Sequence, residues 1–232
     1  MSRRPSATPA GDLRHFERQA RNCGFLKVAG IDEGGRGPLA GPVVAAAVML
    51  PESLDLPGVF DSKQLTARQR EECNERILAL VSGVAIGQVE ASEIDRINIL
   101  AATFEAMMRA VNGLCQAPDY LLIDGPYRLP LDIHQEGIRG GDRRSLSIAA
   151  ASIVAKVHRD RLMEEYHRRF PEYGFKQHKG YPTRDHLEAL RRLGPCPIHR
   201  RSFAGVLAPQ PGQGEGDGDP SRERAQGRKH RP

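Results

Sequence analysis

The chain has 232 residues, a length that accommodates one compact domain of ordinary size with tails to spare. Hydrophobic residues make up 39 % of it, and no apolar run approaches the roughly 18 residues that a membrane-spanning helix needs, so a transmembrane helix is excluded. The four cysteines lie far apart, without a Cys-x-x-Cys pair or a secretory leader, so we expect free thiols in a cytoplasmic protein and neither a disulfide framework nor a zinc finger.

The net charge of +5 conceals an uneven distribution along the chain. Residues 23–120 carry eight basic and thirteen acidic side chains, whereas residues 121–206 carry sixteen basic and ten acidic ones. A basic half can hold a polyanion through phosphate contacts, and an acidic half can hold cations. Charge alone leaves open the alternative that both halves are ordinary solvated surface.

Composition divides the chain into a polar N-terminal extension over residues 1–22, a central domain over 23–206 and a C-terminal tail over 207–232. A short helix is predicted within the extension, over residues 13–22. The tail is rich in Gly, Pro and Gln and has almost no apolar side chains. Because such a segment buries too little surface to offset its ordering entropy, we expect it to be disordered.

Between the tails, the apolar pattern predicts alternating short strands and helices. Thr66 and Gln69 form a capping box at the start of a helical spacing, and Asn98 is the predicted cap of a later helix. The predicted strands cover residues 27–32, 43–50, 84–90 and 120–124, and the predicted helices cover 66–81, 98–114, 145–170 and 183–193. Interleaved strands followed by a helix-rich end indicate an α/β domain with a mixed sheet.

Acidic residues follow two of the predicted buried strands. Asp32 and Glu33 come after the run KVAGI, Asp124 ends the run YLLID, and Asp142 precedes the long helix. Residues just past a buried strand are held at the rim of the sheet, where ligand sites gather in α/β proteins. Four clustered carboxylates repel one another unless cations lie between them, and such hard oxygen ligands suit Mg²⁺ or Mn²⁺. For any one acid, a turn, cap or surface role is the alternative.

The loop GGRGPLAGP after the first strand has two interpretations. Gly35, Gly37 and Ala40 formally match the dinucleotide-binding fingerprint, which would make the protein a nicotinamide-dependent oxidoreductase. Against this, the neighbouring carboxylates would repel a pyrophosphate, and Pro42 leads into an apolar β-forming run instead of a helix. We favour a loop whose glycines let backbone N–H groups approach a ligand while Arg36 fixes one end. A plain tight turn is the remaining alternative.

The long predicted helix carries polar residues among apolar ones. Steps of three and four place these residues on one stripe. The stripe consists of Asp142, Ser145, Ser152, Lys156 and Arg159. Hydroxyls and basic groups on one side of a buried helix suit contacts to backbone phosphates, and an ordinary amphipathic helix is the alternative. Asp160 lies off the stripe, and we expect it to pair with Arg159, Arg161 or another neighbour.

The segment YGFKQHKGYPTRDH interleaves aromatic with basic residues, which is what stacking on a base or sugar beside phosphates requires. Phe175 is expected in the core. Tyr181 stands between a glycine and a proline, so we expect it to be presented on a turn. His178 and His186 are too far from any carboxylate in sequence to be taken as metal ligands.

Together these motifs resemble the ribonuclease HII family. The matching stretches occur in the family's order over residues 25–206, and they are VAGIDEGGRGPLAGPVVAAAV, DSKQL, LLIDG, GD with SIAAASIVAKVHRDR, YGFKQHKGYPT and HRRSF. A match of this extent is specific. The sequence departs from the family pattern at Gly34, where Ala or Val is frequent, and at His158, where Thr is common.

The resemblance implies an RNase H-like fold with a mixed central sheet flanked by helices and a helical C-terminal part. It implies an endoribonuclease that hydrolyses RNA in RNA–DNA hybrids and cuts 5′ of ribonucleotides embedded in duplex DNA, leaving 3′-hydroxyl and 5′-phosphate ends. Such an enzyme removes misincorporated ribonucleotides and RNA primers. Two Mn²⁺ or Mg²⁺ ions would be held by the four acids, Asp32, Glu33, Asp124 and Asp142. We expect a monomer.

The same resemblance assigns the substrate contacts. It implies that Gly35, Arg36 and Gly37 read the ribose 2′-hydroxyl and that Tyr181 lies at the RNA–DNA junction. Phosphate contacts are expected from three further residues, Lys63, Ser152 and Lys156. A module that binds nucleic acid without cutting it is the main alternative, and the set of four acids argues against it.

Overall fold

A computed structural model of the chain describes residues 12–54, 56, 59, 65–81 and 83–206. The predicted disordered tail, the first eleven residues and the motif Asp61–Ser62–Lys63 lie outside the described residues. Within those ranges, no helix is long and apolar enough to cross a membrane. All four cysteines are free thiols, as predicted.

Five strands form one sheet in the described part of the chain. They are β1 (Val28–Gly34), β2 (Val43–Met49), β3 (Gly83–Val89), β4 (Tyr120–Asp124) and β5 (His134–Ile138). Their order across the sheet is β3-β2-β1-β4-β5. The pairs β1–β2 and β2–β3 are antiparallel, and the pairs β1–β4 and β4–β5 are parallel. The sheet is therefore mixed, which confirms the predicted α/β fold class.

Seven α-helices accompany the sheet among the described residues. They are α1 (His15–Asn22), α2 (Ala67–Leu80), α3 (Ala91–Ile97), α4 (Ile99–Asn112), α5 (Leu146–Arg169), α6 (Phe175–His178) and α7 (Arg184–Leu193). Four helices begin at capping side chains that accept hydrogen bonds from first-turn N–H groups, at positions where the sequence predicts a helix to start. These caps are Thr66, Asn98, Ser145 and Thr183. Each cap accepts a hydrogen bond from a first-turn N–H group that has no carbonyl partner within its own helix.

Helix α5 covers one face of the sheet and α4 covers the other. The even-numbered residues of β2 from Val44 to Val48 join the core under α5, and the odd-numbered ones from Val43 to Ala47 join the core under α4. This division follows from the two-residue period of a strand. A Cβ at Gly30 would overlap the backbone of Ser147, so the glycine in β1 is what lets the start of α5 lie directly on the sheet.

Two elements have no clear signature in the apolar pattern. Strand β5 reads HQEGI, and only Ile138 is buried, because the strand lies at the edge of the sheet. Helix α3 has seven residues and buries only Ala91 and Ile94. Both are too short or too polar for periodicity to reveal, and their pairing partners supply the stability that local sequence does not.

The C-terminal helical part packs onto the glycine loop between β1 and β2. Leu39 and Ala40 of that loop share an apolar cluster with Met163 of α5, Phe175 of α6 and Ile198. Phe175 is fully buried, as predicted. This cluster brings together the two segments that the sequence connects with substrate.

Candidate active site

Parallel pairing of β1 and β4 brings the predicted acids to one edge of the sheet. Ile31 pairs with Ile123, so the next residues along the two strands are Asp32 and Asp124. Strand β1 continues past Asp32 and Glu33, which lie among its last three residues and not beyond its end as the sequence suggested. The strand ladder therefore fixes their backbone positions.

The Asp32 carboxylate is buried and crowded by like charge. Its Oδ1 accepts a hydrogen bond from the backbone N–H of Glu33 at 2.7 Å. Burial raises the pKa of Asp32 well above its ordinary value, and the carboxylates of Glu33 and Asp124 raise it further. A hydrogen bond from the Ser152 hydroxyl opposes this rise. A bound cation would relieve both the burial penalty and the repulsion.

Glu33 lies along β1 between Asp32 and the glycine loop. Burial raises the pKa of Glu33, and the Arg36 guanidinium opposes the rise. Nη1 of Arg36 lies 3.2 Å from Oε1 of Glu33 and donates to the Tyr127 hydroxyl at 3.3 Å. The second oxygen, Oε2, is buried and has no hydrogen-bond partner in the described part of the molecule. Since an unsatisfied buried acceptor is costly, this oxygen is well suited to an added cation.

Asp124 reaches from β4 to the turn that carries the fourth acid. Its Oδ1 accepts a hydrogen bond from the backbone N–H of Gly141 at 2.6 Å. Asp142 is the next residue, buried in a short 3-10 turn, with Nε of Arg143 3.9 Å from its Oδ1. The hydrogen bond between Asp124 and Gly141 thus brings all four predicted acids to the same edge of the sheet.

The donor set fits divalent cations in its chemistry. It consists of carboxylate oxygens, and three of the acids influence one another electrostatically. Among the residues that the structure describes, no three His, Cys, Asp or Glu side chains already surround a common point as a ligand set. Asp32, Glu33 and Asp124 each turn a carboxylate oxygen toward an N–H group of the protein.

The glycine loop is held from behind by a buried arginine that the sequence argument did not identify. Arg200 is fully buried and donates to the carbonyls of Gly35 at 2.6 Å, Arg36 at 3.0 Å and Gly41 at 2.9 Å. Burial and the neighbouring Arg159 guanidinium lower its pKa, but a guanidinium remains charged at any working pH. Arg200 belongs to the motif HRRSF, but nothing in that local pattern indicates a buried side chain.

Arg159 performs a similar task and corrects the predicted phosphate-facing stripe. It is buried and donates to the carbonyls of Pro42 and Ala40, each at 3.1 Å. Ser145 is buried as well and caps α5. Ser152 is 9 % exposed and donates a hydrogen bond to the Asp32 carboxylate, which orients that acid; its phosphate contact stays a prediction. These three residues support the site from inside the protein.

The backbone of the loop excludes the dinucleotide-binding interpretation. The loop leads directly into strand β2, whereas a dinucleotide fingerprint requires a helix at that point. Gly35 has a φ of +91°, and a Cβ there would overlap the Arg159 side chain. The glycine is therefore demanded by the conformation and by the arginine packed behind it.

Tyr181 lies beside the loop, as an exposed aromatic on a turn. It is 44 % exposed, and a Cβ at Gly37 would be 3.7 Å from its ring. The turn is fixed to the loop by a hydrogen bond from the N–H of Leu39 to the carbonyl of Gly180 at 2.8 Å. The predicted hydroxyl reader and the predicted junction residue thus form one continuous surface.

Other predicted contacts have mixed outcomes. Lys156 is partly exposed on α5, and its Nζ lies 3.5 Å from Oδ2 of Asp160. The expected basic partner of Asp160 is therefore Lys156. Arg161, another candidate partner, pairs with Glu71. Lys63 lies outside the described residues. The phosphate contacts of Lys156 and Lys63 remain predictions.

A buried carboxylate in α1, which no local sequence pattern indicates, supports the turn that carries Asp142. Oε1 of Glu17 accepts hydrogen bonds from the Ser145 hydroxyl at 2.7 Å and from the Ser147 N–H at 2.9 Å. Phe16 of the same helix joins the core around β1 and β4. Helix α1 is therefore packed against the start of α5, next to the acidic edge.

The chain is similar to known proteins over nearly all of its described length. The family model described as Ribonuclease HII matches residues 29–206. A ribonuclease HII from Syntrophobacter fumaroxidans is 65 % identical over 208 residues, which cover 90 % of this chain and 89 % of the relative. One from Geotalea uraniireducens is 57 % identical over 194 residues, covering 84 % and 90 %.

Solved structures are similar as well. The crystal structure of the ribonuclease H2 from Pyrococcus horikoshii superposes with a TM-score of 0.66 at 30 % identity, covering 78 % of this chain and 95 % of that one. The ribonuclease HII of Archaeoglobus fulgidus, solved in complex with PCNA, gives a TM-score of 0.61 at 27 % identity and covers 71 % and 85 %.

Proposed function

Because the chain belongs to the ribonuclease HII family and is therefore a ribonuclease H, we propose that it cuts duplex DNA on the 5′ side of embedded ribonucleotides and hydrolyses the RNA of RNA–DNA hybrids. The products are 3′-hydroxyl and 5′-phosphate ends. The observation that carries the proposal is the juxtaposition of an acidic edge with a glycine loop and an exposed tyrosine.

The acidic edge supplies the ligands for the reaction's metal ions. Two divalent cations, Mn²⁺ or Mg²⁺, would be held by Asp32, Glu33, Asp124 and Asp142. When bound, such ions supply positive charge for the attacking water and for the departing 3′ oxygen. The strand ladder and the bond from Gly141 to Asp124 hold the backbone of these acids at one edge of the sheet, which limits the reorganisation that cation binding would need.

The glycine loop is suited to recognise the ribose. RNA differs from DNA by a 2′-hydroxyl that both donates and accepts hydrogen bonds. Gly37 is exposed and leaves the loop backbone uncovered there, and Arg36 extends from the loop beside Glu33. Since Arg200 and Arg159 hold the loop's carbonyls from behind, the loop can meet the sugar as a preformed surface.

Tyr181 and Lys156 complete the substrate contacts in this proposal. The tyrosine ring stacks against the sugar at the RNA–DNA junction, and the lysine, with Lys63, contacts backbone phosphates. The excess of basic residues over 121–206 attracts the duplex as a whole. A monomer acting in the cytoplasm on misincorporated ribonucleotides and RNA primers is the corresponding cellular role.

A cleavage assay tests this function. The substrates are a duplex with one embedded ribonucleotide, an all-DNA duplex of the same sequence and a long RNA–DNA hybrid, each with Mg²⁺ or Mn²⁺ and with a chelator. We expect cutting 5′ of the single ribonucleotide and within the hybrid, and no cutting of the all-DNA duplex or in chelator. Binding without cleavage under both metals would contradict the proposal and favour a non-catalytic module.

A further inference from the structure

Three buried histidines lie under the turn that carries Tyr181. His178 is 9 % exposed, His186 is fully buried and His199 is 2 % exposed. The rings of His178 and His186 are stacked, with centroids 4.3 Å apart. The three rings lie together between the C-terminal segment and the Tyr181 turn, with His186 hydrogen-bonded to His199 and stacked on His178.

The protons of this group can be assigned from the Tyr181 end. Nδ1 of His186 lies 2.9 Å from the backbone carbonyl of Tyr181. A carbonyl only accepts, so Nδ1 of His186 carries the proton. In a neutral ring Nε2 is then an acceptor, and it lies 3.1 Å from Nε2 of His199. His199 must therefore donate to His186.

The same assignment follows independently from the other end. The backbone N–H of Cys196 donates to Nδ1 of His199 at 3.0 Å. Nδ1 of His199 is therefore unprotonated, and a neutral ring carries its proton on Nε2, the atom that faces His186. Both ends of the chain of hydrogen bonds require one and the same arrangement, from Cys196 through His199 and His186 to Tyr181.

His178 holds the same turn from its other side. Its Nδ1 accepts a hydrogen bond from the N–H of Gly180 at 3.1 Å, and its Nε2 donates to the carbonyl of Tyr173 at 2.7 Å. Lys179 and Gly180 both have positive φ values, +50° and +85°. A turn of this shape needs restraint on the residues that follow it, and the histidines supply that restraint.

This group is not arranged as a metal site. His199 contacts Cys196 through one ring nitrogen and His186 through the opposite one, so no single ion can replace both contacts. Instead, hydrogen bonds through His199 and His186 connect the backbone N–H of Cys196 to the backbone carbonyl of Tyr181, and each proton has a defined position.

We propose that His199 and His186 are positioning residues for substrate discrimination: His199 holds His186 in the tautomer that donates to the Tyr181 carbonyl, and this sets the Tyr181 ring against the glycine loop. The inference rests on the proposed function of Tyr181. Without His199, His186 is free to carry its proton on Nε2, and that tautomer cannot donate to the carbonyl. The ring beside Gly37 would then lose its fixed position.

Nitrogen NMR of the wild-type protein tests the proton arrangement without any activity. Long-range proton–nitrogen spectra of the imidazoles distinguish the two neutral tautomers and the cation. At neutral pH we expect His186 protonated on Nδ1 and His199 and His178 protonated on Nε2. A cationic ring at either His186 or His199, or His186 protonated on Nε2, would overturn the proposal.

Variants test the positioning role. His199→Asn keeps an acceptor for the Cys196 N–H but leaves nothing at Nε2, and we expect about tenfold lower kcat/KM on the single-ribonucleotide duplex with less than about threefold change on long hybrids. Adding His186→Asn places an amide donor where Nδ1 was, so the double variant should recover much of the lost discrimination. A residue important only for folding would make the double variant worse.

The matched control is His134→Asn, at an exposed position on the edge strand β5. It should leave the ratio of the two substrates unchanged. If His199→Asn also leaves that ratio unchanged, or if the double variant falls below the single one, the positioning role is wrong. Failure of the wild-type enzyme to cut the single-ribonucleotide duplex would instead count against the proposed function itself.

Discussion

The acidic edge and the glycine loop lie side by side but are stabilised in opposite ways. At the acidic edge, carboxylates lie buried close to one another, and their pKa values rise because burial disfavours the charged form and the neighbouring carboxylates add repulsion. Behind the loop, two guanidiniums are buried against neutral backbone carbonyls. At the acidic edge one carboxylate oxygen of Glu33 has no partner among the described residues, whereas the guanidiniums behind the loop donate to backbone carbonyls.

This contrast separates two tasks. Under the proposed function, cations bound at the acidic edge would offset the repulsion between its carboxylates and stabilise charge that develops in the reaction. The carbonyls of the loop already accept hydrogen bonds from Arg200 and Arg159, so under the proposed function the loop would meet the ribose hydroxyl as a preformed surface. We infer that catalysis and recognition depend on different kinds of pre-organisation, and each can be disturbed without the other.

Removing the arginine behind the loop has the largest expected effect on stability. Arg200→Met leaves the carbonyls of Gly35, Arg36 and Gly41 without donors, which should lower the free energy of unfolding by about 3–5 kcal/mol. Urea unfolding measures it. The neighbouring exposed Arg201→Met is the control and should change little. Equal effects of the two would show that the loop does not depend on Arg200.

Removing the exposed ring should alter substrate choice and spare the fold. Tyr181→Ala is expected to lower kcat/KM by about tenfold or more on a single embedded ribonucleotide, because one stacking contact is lost, and much less on a long hybrid. Steady-state assays on both substrates give the ratio. Equal losses on the two would count against junction recognition by Tyr181.

Neutralising a buried acid should stabilise the metal-free protein. Asp32→Asn keeps the oxygen that accepts from the Glu33 N–H but removes a buried charge, so we expect about 1–3 kcal/mol higher unfolding free energy in chelator. Activity should be lost. The melting temperatures of the variant and the wild type, measured in chelator and with Mn²⁺, show whether the loss of activity is accompanied by a gain in stability. A destabilised variant in chelator would contradict the strained acidic edge.

The same strain has a defined pH dependence. The folded-state pKa values of Asp32 and Glu33 are raised, so folding favours their protonated forms. Their contribution to stability is complete below the ordinary carboxyl pKa and is lost as the pH rises through the raised values. Mn²⁺ should therefore raise the melting temperature more at pH 8 than at pH 5, and an equal rise at both would contradict this.

Two adjacent glycines give the smallest and most local contrast. Gly34→Ala places a Cβ 3.9 Å from the nearest backbone atoms of α5, and it should stabilise the fold by no more than about 1 kcal/mol. At Gly35 the backbone has a positive φ, and an added Cβ would overlap the Arg159 side chain. Gly35→Ala should therefore destabilise the fold and reduce activity. Similar melting temperatures for both would show that the loop tolerates a side chain at Gly35.

The sequence predicts the acidic edge better than the loop's support, for a physical reason. Asp32 and Asp124 end compact apolar runs, and local pattern alone locates such strands. Arg200 contacts Gly35 across 165 residues, and Arg159 contacts Pro42 across 117. No local pattern shows that a basic residue is buried against distant carbonyls. The helical spacing alone therefore predicts that Arg159 faces phosphate.

The same limit explains the other differences. Strand β5 is polar because it lies at the edge, so its sequence resembles a loop. Glu17 gave no signal because its partners, Ser145 and Ser147, are about 130 residues away. The caps Thr66 and Asn98 were predicted because a cap and its helix are adjacent in sequence.

Asp124→Asn tests the central claim most directly. Asparagine keeps the oxygen that accepts from the Gly141 N–H, so the fold and the glycine loop should be preserved. Single-turnover cleavage and binding of a duplex with one embedded ribonucleotide are measured for the variant and the wild type. We predict that the cleavage rate falls by about a thousandfold or more, with the Kd within about threefold. Full activity in the variant would remove Asp124 from the active site and contradict the account.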